Sequence, residues 1–153
     1  MKVLIDADAC PVTDIAIRIA KEFNLETIIV CDTAHKIERA GVETVVISQG
    51  ADAVDFAIIS RVSNSDIVIT QDYGLASIVL SKNAHAINQD GLVYNKYNIE
   101  SLLFSRHMSQ KLRNSGKRTK GPKKRLKDDD IRFEESFRRI VLNNIGKKIT
   151  KES

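Results

Sequence analysis

The chain has 153 residues, of which 42% are hydrophobic and 29% charged. These values fit one soluble globular domain with a real core, and no apolar run approaches the roughly 20 residues that a membrane span needs. The formal net charge is +4, but residues 1–100 carry 8 Lys and Arg against 14 Asp and Glu, whereas residues 101–153 carry 16 against 6. An acidic body followed by a basic tail predicts a polyanion-facing tail, with simple solubility as the plainer reading.

In chain order, Val3-Leu4-Ile5 predicts a short buried strand, and Pro11 suits the first turn of the helix that follows it. Val12, Ile15, Ala16, Ile19, Ala20 and Phe23 recur at helical spacing and form one apolar stripe. Thr27–Cys31 is the second strand, residues 35–41 ("HKIERAG") a short helix or turn ending at Gly41, and Thr44–Ile47 the third strand. Residues 50–65 read as a helix with Val54, Ala57, Ile58 and Val62 on its buried side. Asp66–Thr70 is the fourth strand, residues 73–83 a further helix, and residues 84–88 ("AHAIN") a short fifth strand. Short β-branched strands separated by helices predict an α/β fold with a mainly parallel sheet covered on both faces.

Residues 98–116 predict a helix ending at Gly116, followed by the acid-free basic loop 116–127. Gly121-Pro122 breaks any helix there. Asp128, Asp129 and Asp130 suit the first turn of a last helix, on which Phe133, Phe137, Ile140, Val141 and Ile145 form a stripe that docks on the body. The organisation expected is a single domain over 1–153, with an α/β core at 1–98 and a helical basic extension at 99–153.

Right-handed crossovers bring the strand C-terminal ends to one edge, where sites of such sheets lie. Asp6 and Asp8 follow the first strand in "LIDADACP", Asp72 follows the fourth, and Asp52 and Asp55 open the helix after the third at i, i+3 spacing. Converging carboxylates repel unless a hard cation such as Mg²⁺ or Mn²⁺ neutralises them. Each of Asp8, Asp52 and Asp72 taken singly is better read as a helix N-cap than as a ligand; the metal reading rests on the set.

The segments "DADACPV", "GADAVDFAI", "VITQDYGLA" and "SRHMSQKLRNSGKRTKGP" resemble the bacterial YaiI/YqxD family over nearly the whole chain. That family looks like a member of the PIN-like superfamily, which includes many metal-dependent ribonucleases. The resemblance implies a PIN-like three-layer sandwich and an acidic Mg²⁺ or Mn²⁺ pocket. Asp6 would be its first acid, Asp52 or Asp55 the second and Asp72 the third. Asp90 is the candidate for a fourth, with Asn88 standing where an acid is expected.

Other chemistries compete. "DADAC" also resembles the Asp-x-Asp start of haloacid-dehalogenase-type phosphatases, which would make Asp6 a nucleophile, Asp8 a general acid and Thr70 a phosphate-binding hydroxyl. No later paired-aspartate motif and no room for a flap support that reading. Cys10 at a helix start is either an activated thiol or, on the better reading, a buried structural one. His85 reads as structural, and His107 beside Arg106 as a phosphate neighbour. No Walker loop or G-x-G-x-x-G is present, and aromatic residues are 5% of the chain. Tyr94 and Tyr97 read as stacking or packing residues.

The sequence therefore predicts a metal-dependent phosphodiesterase acting on RNA, with Asp6, Asp8, Asp52, Asp55 and Asp72 as catalytic metal ligands and Thr70 or Gln71 orienting substrate. Arg106, Lys117, Arg118, Lys120, Lys123, Lys124 and Arg125 are the expected phosphate contacts to RNA or another nucleic acid. The alternative is a non-catalytic RNA-binding protein. Neither a signal peptide nor a zinc spacing is seen, so a cytoplasmic setting without membrane association is expected; a homo-oligomer is compatible with the sequence.

Overall fold

A computed structural model describes residues 1–7, 10–48, 52–116 and 124–152, with side chains to residue 147. Among these, β1 (Lys2–Asp6), β2 (Glu26–Asp32), β3 (Glu43–Ile47), β4 (Ile67–Ile69) and β5 (His85–Ile87) form one sheet in the order β3-β2-β1-β4-β5. All four strand pairings are parallel, with Leu4 opposite Ile28 on one side and Val68 on the other.

The period-2 pleat splits each strand between two cores. Val3, Ile5, Ile29, Cys31, Ile67, Ile69 and Ile87 face α1 (Thr13–Glu22) and α5 (Lys127–Glu152). Leu4, Ile28, Val30, Val68 and Ala86 face α2 (Ala53–Arg61) and α3 (Tyr73–Ser81). Both faces are covered, which is why the strands read as continuous apolar runs. The result is the three-layer α/β sandwich expected.

The last helix belongs to the first of these cores. Phe133, Phe137 and Val141 are fully buried, Ile140 nearly so, and Ile145 packs at the margin. The rings of Phe133 and Phe137 stack 5.5 Å apart. Arg138 clamps α5 to α1 with two bonds to Glu22, at 2.7 and 2.9 Å. In contrast, α4 (Ile99–Asn114) leans on α3 through Ile99, Leu102 and Leu103 and leaves Phe104, Met108 and Leu112 exposed.

Of the short helix or turn expected over residues 35–41, the structure takes the turn. The Asp32 carboxylate accepts the His35 backbone N–H at 2.8 Å, so the chain turns at once, and Gly41 adopts φ +74 at the far end. The extended segment between them tucks Ile37 against the first core. Pro11 sits in a turn ahead of Val12, the N-cap of α1, and outside the first helical turn. Just before it, the Cys10 N–H donates to the Ala7 carbonyl at 3.3 Å.

Candidate functional site

The strand order places β2 and β3 on one side of β1, and β4 and β5 on the other. Connections leaving β1 and β4 diverge to opposite faces, since α1 and α3 lie in different cores. Such a switch point opens a crevice at the strand C-terminal ends. Asp6 is the last residue of β1, and Asp72 is the N-cap of α3, three residues beyond the end of β4.

Thr70 ties these two acids together. Its hydroxyl donates to Asp6 Oδ2 at 2.8 Å and accepts the Asp72 backbone N–H at 3.0 Å. Thr70 is 2% exposed, so the hydroxyl is committed to positioning carboxylates and is closed to substrate. Behind it, the buried Tyr94 hydroxyl donates to the Thr70 carbonyl at 3.2 Å. Burial and neighbouring acidic groups push the Tyr94 phenol upward, keeping it protonated as a donor. Asp72 Oδ1 accepts from Leu75 N–H at 3.1 Å, an N-cap bond. Gly74 permits this fold-back, since a Cβ there would stand 3.2 Å from that same oxygen.

Asp52 and Asp55 come in from α2. Asp52 occupies the N-cap position but makes no side-chain capping bond, and its backbone is left-handed at φ 65. That conformation is uncommon for a residue other than glycine, though aspartate tolerates it better than most. Asp55 is half-buried, and its carboxyl is pushed up to about 6 by that burial first, then by Asp72, Asp6 and Asp52, with Arg106 opposing. Four acids from three parts of the chain therefore share one field. Among the described residues, no three His, Cys, Asp or Glu side chains are grouped closely enough to hold one ion between them. Asp8, the fifth predicted acid, lies outside the described residues. Asp90 is remote in role: it pairs with Arg125 at 3.0 Å, and Asn88 organises its turn by accepting from Asp90 and Leu92 N–H, both at 2.9 Å.

The predicted phosphate contacts separate into distinct groups. Arg106 is exposed on α4 and reaches Asp72 Oδ1 at 3.7 Å, so it borders the acidic field. Lys124 is exposed. Arg125 is engaged internally: it donates to Asp130 Oδ1 at 2.8 Å, to Asp90 Oδ1 at 3.0 Å and to the Gln89 carbonyl at 2.8 Å. It clasps the turn after β5 to the start of α5. Lys117, Arg118, Lys120 and Lys123 lie outside the described residues. Gln71 is exposed beside the acids.

Burial raises the Cys10 thiol, with hydrogen bonding from Thr13 opposing, so the helix-start position does not activate it. Burial lowers His85, which Asn144 contacts. Tyr97 is 79% exposed with the Lys96 ammonium 5.1 Å from its ring centroid, whereas Tyr94 is core. The positioning role of Tyr94 escaped sequence reasoning, because nothing local links it to a threonine 24 residues earlier.

Among the described residues, no helix is long and apolar enough to cross a membrane. No solved structure matches the chain. A UPF0178 protein of Exiguobacterium sibiricum is 52% identical over 141 residues, covering 92% of this chain and 96% of its own length. UPF0178 proteins of Clostridium tetani and Clostridium acetobutylicum are 46% and 44% identical, over 97% and 93% of this chain and 100% and 97% of their own. The family model described as "Uncharacterized BCR, YaiI/YqxD family" matches residues 4–143, and with these relatives it establishes that the chain belongs to the YaiI/YqxD family.

Proposed function

We propose that this protein is a metal-dependent phosphodiesterase of PIN-like type that acts on RNA, with Mg²⁺ or Mn²⁺ held among Asp6, Asp55 and Asp72 and with Asp8 and Asp52 as further donors. One observation carries the reading: the Asp55 carboxyl is raised to about 6 by burial together with three neighbouring carboxylates. A fold that gathers like charges at a switch point suits a cation there. The donor set consists of carboxylate oxygens, which fits a hard cation. Mg²⁺ keeps several waters and takes only one or two carboxylates directly, so acids too spread to grip one ion together still suit it. When bound, such a cation supplies Lewis acidity and an acidified water.

The protein's own groups set the geometry. Thr70 holds one oxygen of Asp6 and the peptide of Asp72, which fixes the spacing of two strand-end acids. Arg106, at the border of the acids, is placed to exchange Asp72 for a substrate phosphate. The exposed Lys124 adds cationic charge where the tail begins α5. A cytoplasmic setting belongs to this reading and is supported by two free cysteines.

A second reading, an RNA-binding protein without turnover, is favoured by the Arg106–Asp72 contact, which offsets part of the acidic charge internally. An aspartyl-phosphate mechanism has less support, because the Thr70 hydroxyl that it would use is buried and engaged on both sides.

Thermal melting tests the metal site. At 100 times the dissociation constant, Mn²⁺ adds about 2.7 kcal/mol, or roughly 2–4 °C of Tm per kcal/mol. The expected result is a rise in wild type that is lost in Asp6→Asn. Cleavage of RNA with Mn²⁺ that disappears in Asp72→Asn selects the enzyme. RNA binding with no cleavage selects the second reading, and no Mn²⁺ shift in wild type overturns the metal site.

A further inference from the structure

A cavity of about 430 Å³ opens at the same edge of the sheet, beside the acids but distinct from them. Ala7, Cys10 and Pro11, between β1 and α1, lie on one side, and His35, Lys36 and Ile37 of the segment after β2 on the other. Its volume falls in the range of small-molecule sites. Ala7 is buried and Cys10 and Ile37 are partly so, which makes the floor apolar; His35, Lys36 and Pro11 are exposed at the rim. Among the described lining residues, the polar side chains at the rim are His35 and Lys36, over an apolar base.

The rim is built rather than incidental. Asp32 holds His35 twice, accepting its backbone N–H at 2.8 Å and lying 2.8 Å from ring Nδ1. This fixes the imidazole at the pocket. Lys36 meets Glu38 at 3.0 Å, with both side chains more than half exposed. Such a pair contributes little and exchanges readily for a stronger anion.

We propose that this cavity binds a nucleoside monophosphate unit, its base against Ala7, Cys10 and Ile37 and its phosphate between Lys36 and His35. A bare inorganic anion has no use for an apolar floor. A wholly apolar ligand has no use for two cationic rim groups. A planar heterocycle carrying a phosphate uses both. Asp6 directly precedes Ala7, so the acids lie within a nucleotide's reach along the same strand end. The pocket would seat a nucleotide adjoining a phosphodiester at the acids, yet the proposal stands without any metal or turnover there.

The test is titration of the full chain in EDTA, followed by NMR, with adenosine monophosphate, uridine monophosphate, inorganic phosphate and a short oligoadenylate. The expected result is that the monophosphates shift the resonances of residues 10, 35, 36 and 37 and bind more tightly than phosphate. Lys36→Ala, at an exposed position, should weaken them about tenfold, one charge-assisted contact. Ile37→Ala should weaken the nucleotides but leave phosphate binding unchanged. Tighter binding of the oligoadenylate assigns the pocket to a chain, and tighter binding of the monomer assigns it to a free nucleotide; either ranking upholds it. No nucleotide binding at millimolar concentration, phosphate binding as tight as the nucleotides, or no effect of Lys36→Ala overturns it. Because EDTA removes the cation, failure here leaves the Asp6-dependent Mn²⁺ shift untouched, and the two readings fall separately.

Discussion

Replacing Asp55 with asparagine should make the metal-free protein more stable at neutral pH and no more stable in acid. The carboxyl titrates at about 6 in the folded chain against an ordinary 3.8, with burial the largest cause and the Asp72, Asp6 and Asp52 charges next. Between those two values the folded state binds more protons than the unfolded state. Stability therefore falls as pH rises through this window, and the penalty is complete above about 6. Taken at one pKa unit per 1.36 kcal/mol, and reduced heavily for solvent screening of a half-buried group, the penalty is about 1 kcal/mol. Removing it should raise Tm by about 2–4 °C. Asp55→Asn keeps the shape of the side chain, so packing is little disturbed. Thermal melts from pH 4 to pH 8 in EDTA supply the measurement. The gain should be full above pH 6 and gone near pH 4. With Mn²⁺ the proposed metal site expects the order to reverse, because the variant would lack one of its ligands, the trade expected where a destabilised site serves function. A variant less stable than wild type at pH 8, or a gain equal at pH 4 and pH 8, would refute the crowding of carboxylates.

Four further substitutions probe the support of the acids and the docking and charge of the tail. Thr70→Val removes the hydroxyl that joins Asp6 to the Asp72 peptide; denaturant melts should show a loss of about 1–3 kcal/mol, the cost of leaving buried partners unsatisfied, and Mn²⁺ should shift Tm less than in wild type. Arg125→Ala breaks the clasp to Asp90, Asp130 and Gln89, so it should lower the denaturant midpoint, whereas Lys124→Ala should leave the midpoint alone and reduce the salt slope of RNA binding by about 0.7. Phe137→Ala empties a fully buried site that joins α5 to the β1 core; a loss of about 3–5 kcal/mol is expected on unfolding, and a loss below 1 kcal/mol would mean that the tail is not part of that core.

What the sequence made legible follows from the range of the interactions. β1, β2 and β4 were readable because burial on both faces leaves unbroken β-branched runs. The α1 and α5 stripes were readable because the 3.6 period is local. Asp6 and Asp72 were readable as strand-end acids for the same reason. The segment 35–41 stays open between helix and turn in sequence, because its pattern of charges admits both, while the Asp32–His35 turn that decides it depends on where β2 ends. The Tyr94–Thr70–Asp6 relay was hidden, since its bonds span 24 and 64 residues. Asp52 reads as a cap by type and position; it holds that position with a left-handed backbone and makes no side-chain capping bond, and no residue pattern announces that.

The basic tail illustrates the same limit, and it narrows the nucleic-acid proposal. In sequence its cations look equivalent. In the fold, three arginines of the tail are drawn into pairs: Arg125 with Asp90 and Asp130, Arg138 with Glu22 and Glu134, and Arg132 with Asp129. The planar guanidinium fork suits such fixed partners, whereas a lysine is a point charge on a mobile stem. The formal charge of the tail thus overstates what it can offer a polyanion. Phosphate contact falls to Arg106 and Lys124, together with Lys117, Arg118, Lys120 and Lys123 outside the described residues. About five such contacts to a single strand give a slope of log K on log salt near −3.5, from roughly −0.7 each. Arg125→Ala should leave that slope unchanged while it destabilises the fold; a slope that drops with Arg125 would mean that the clasp opens when RNA binds.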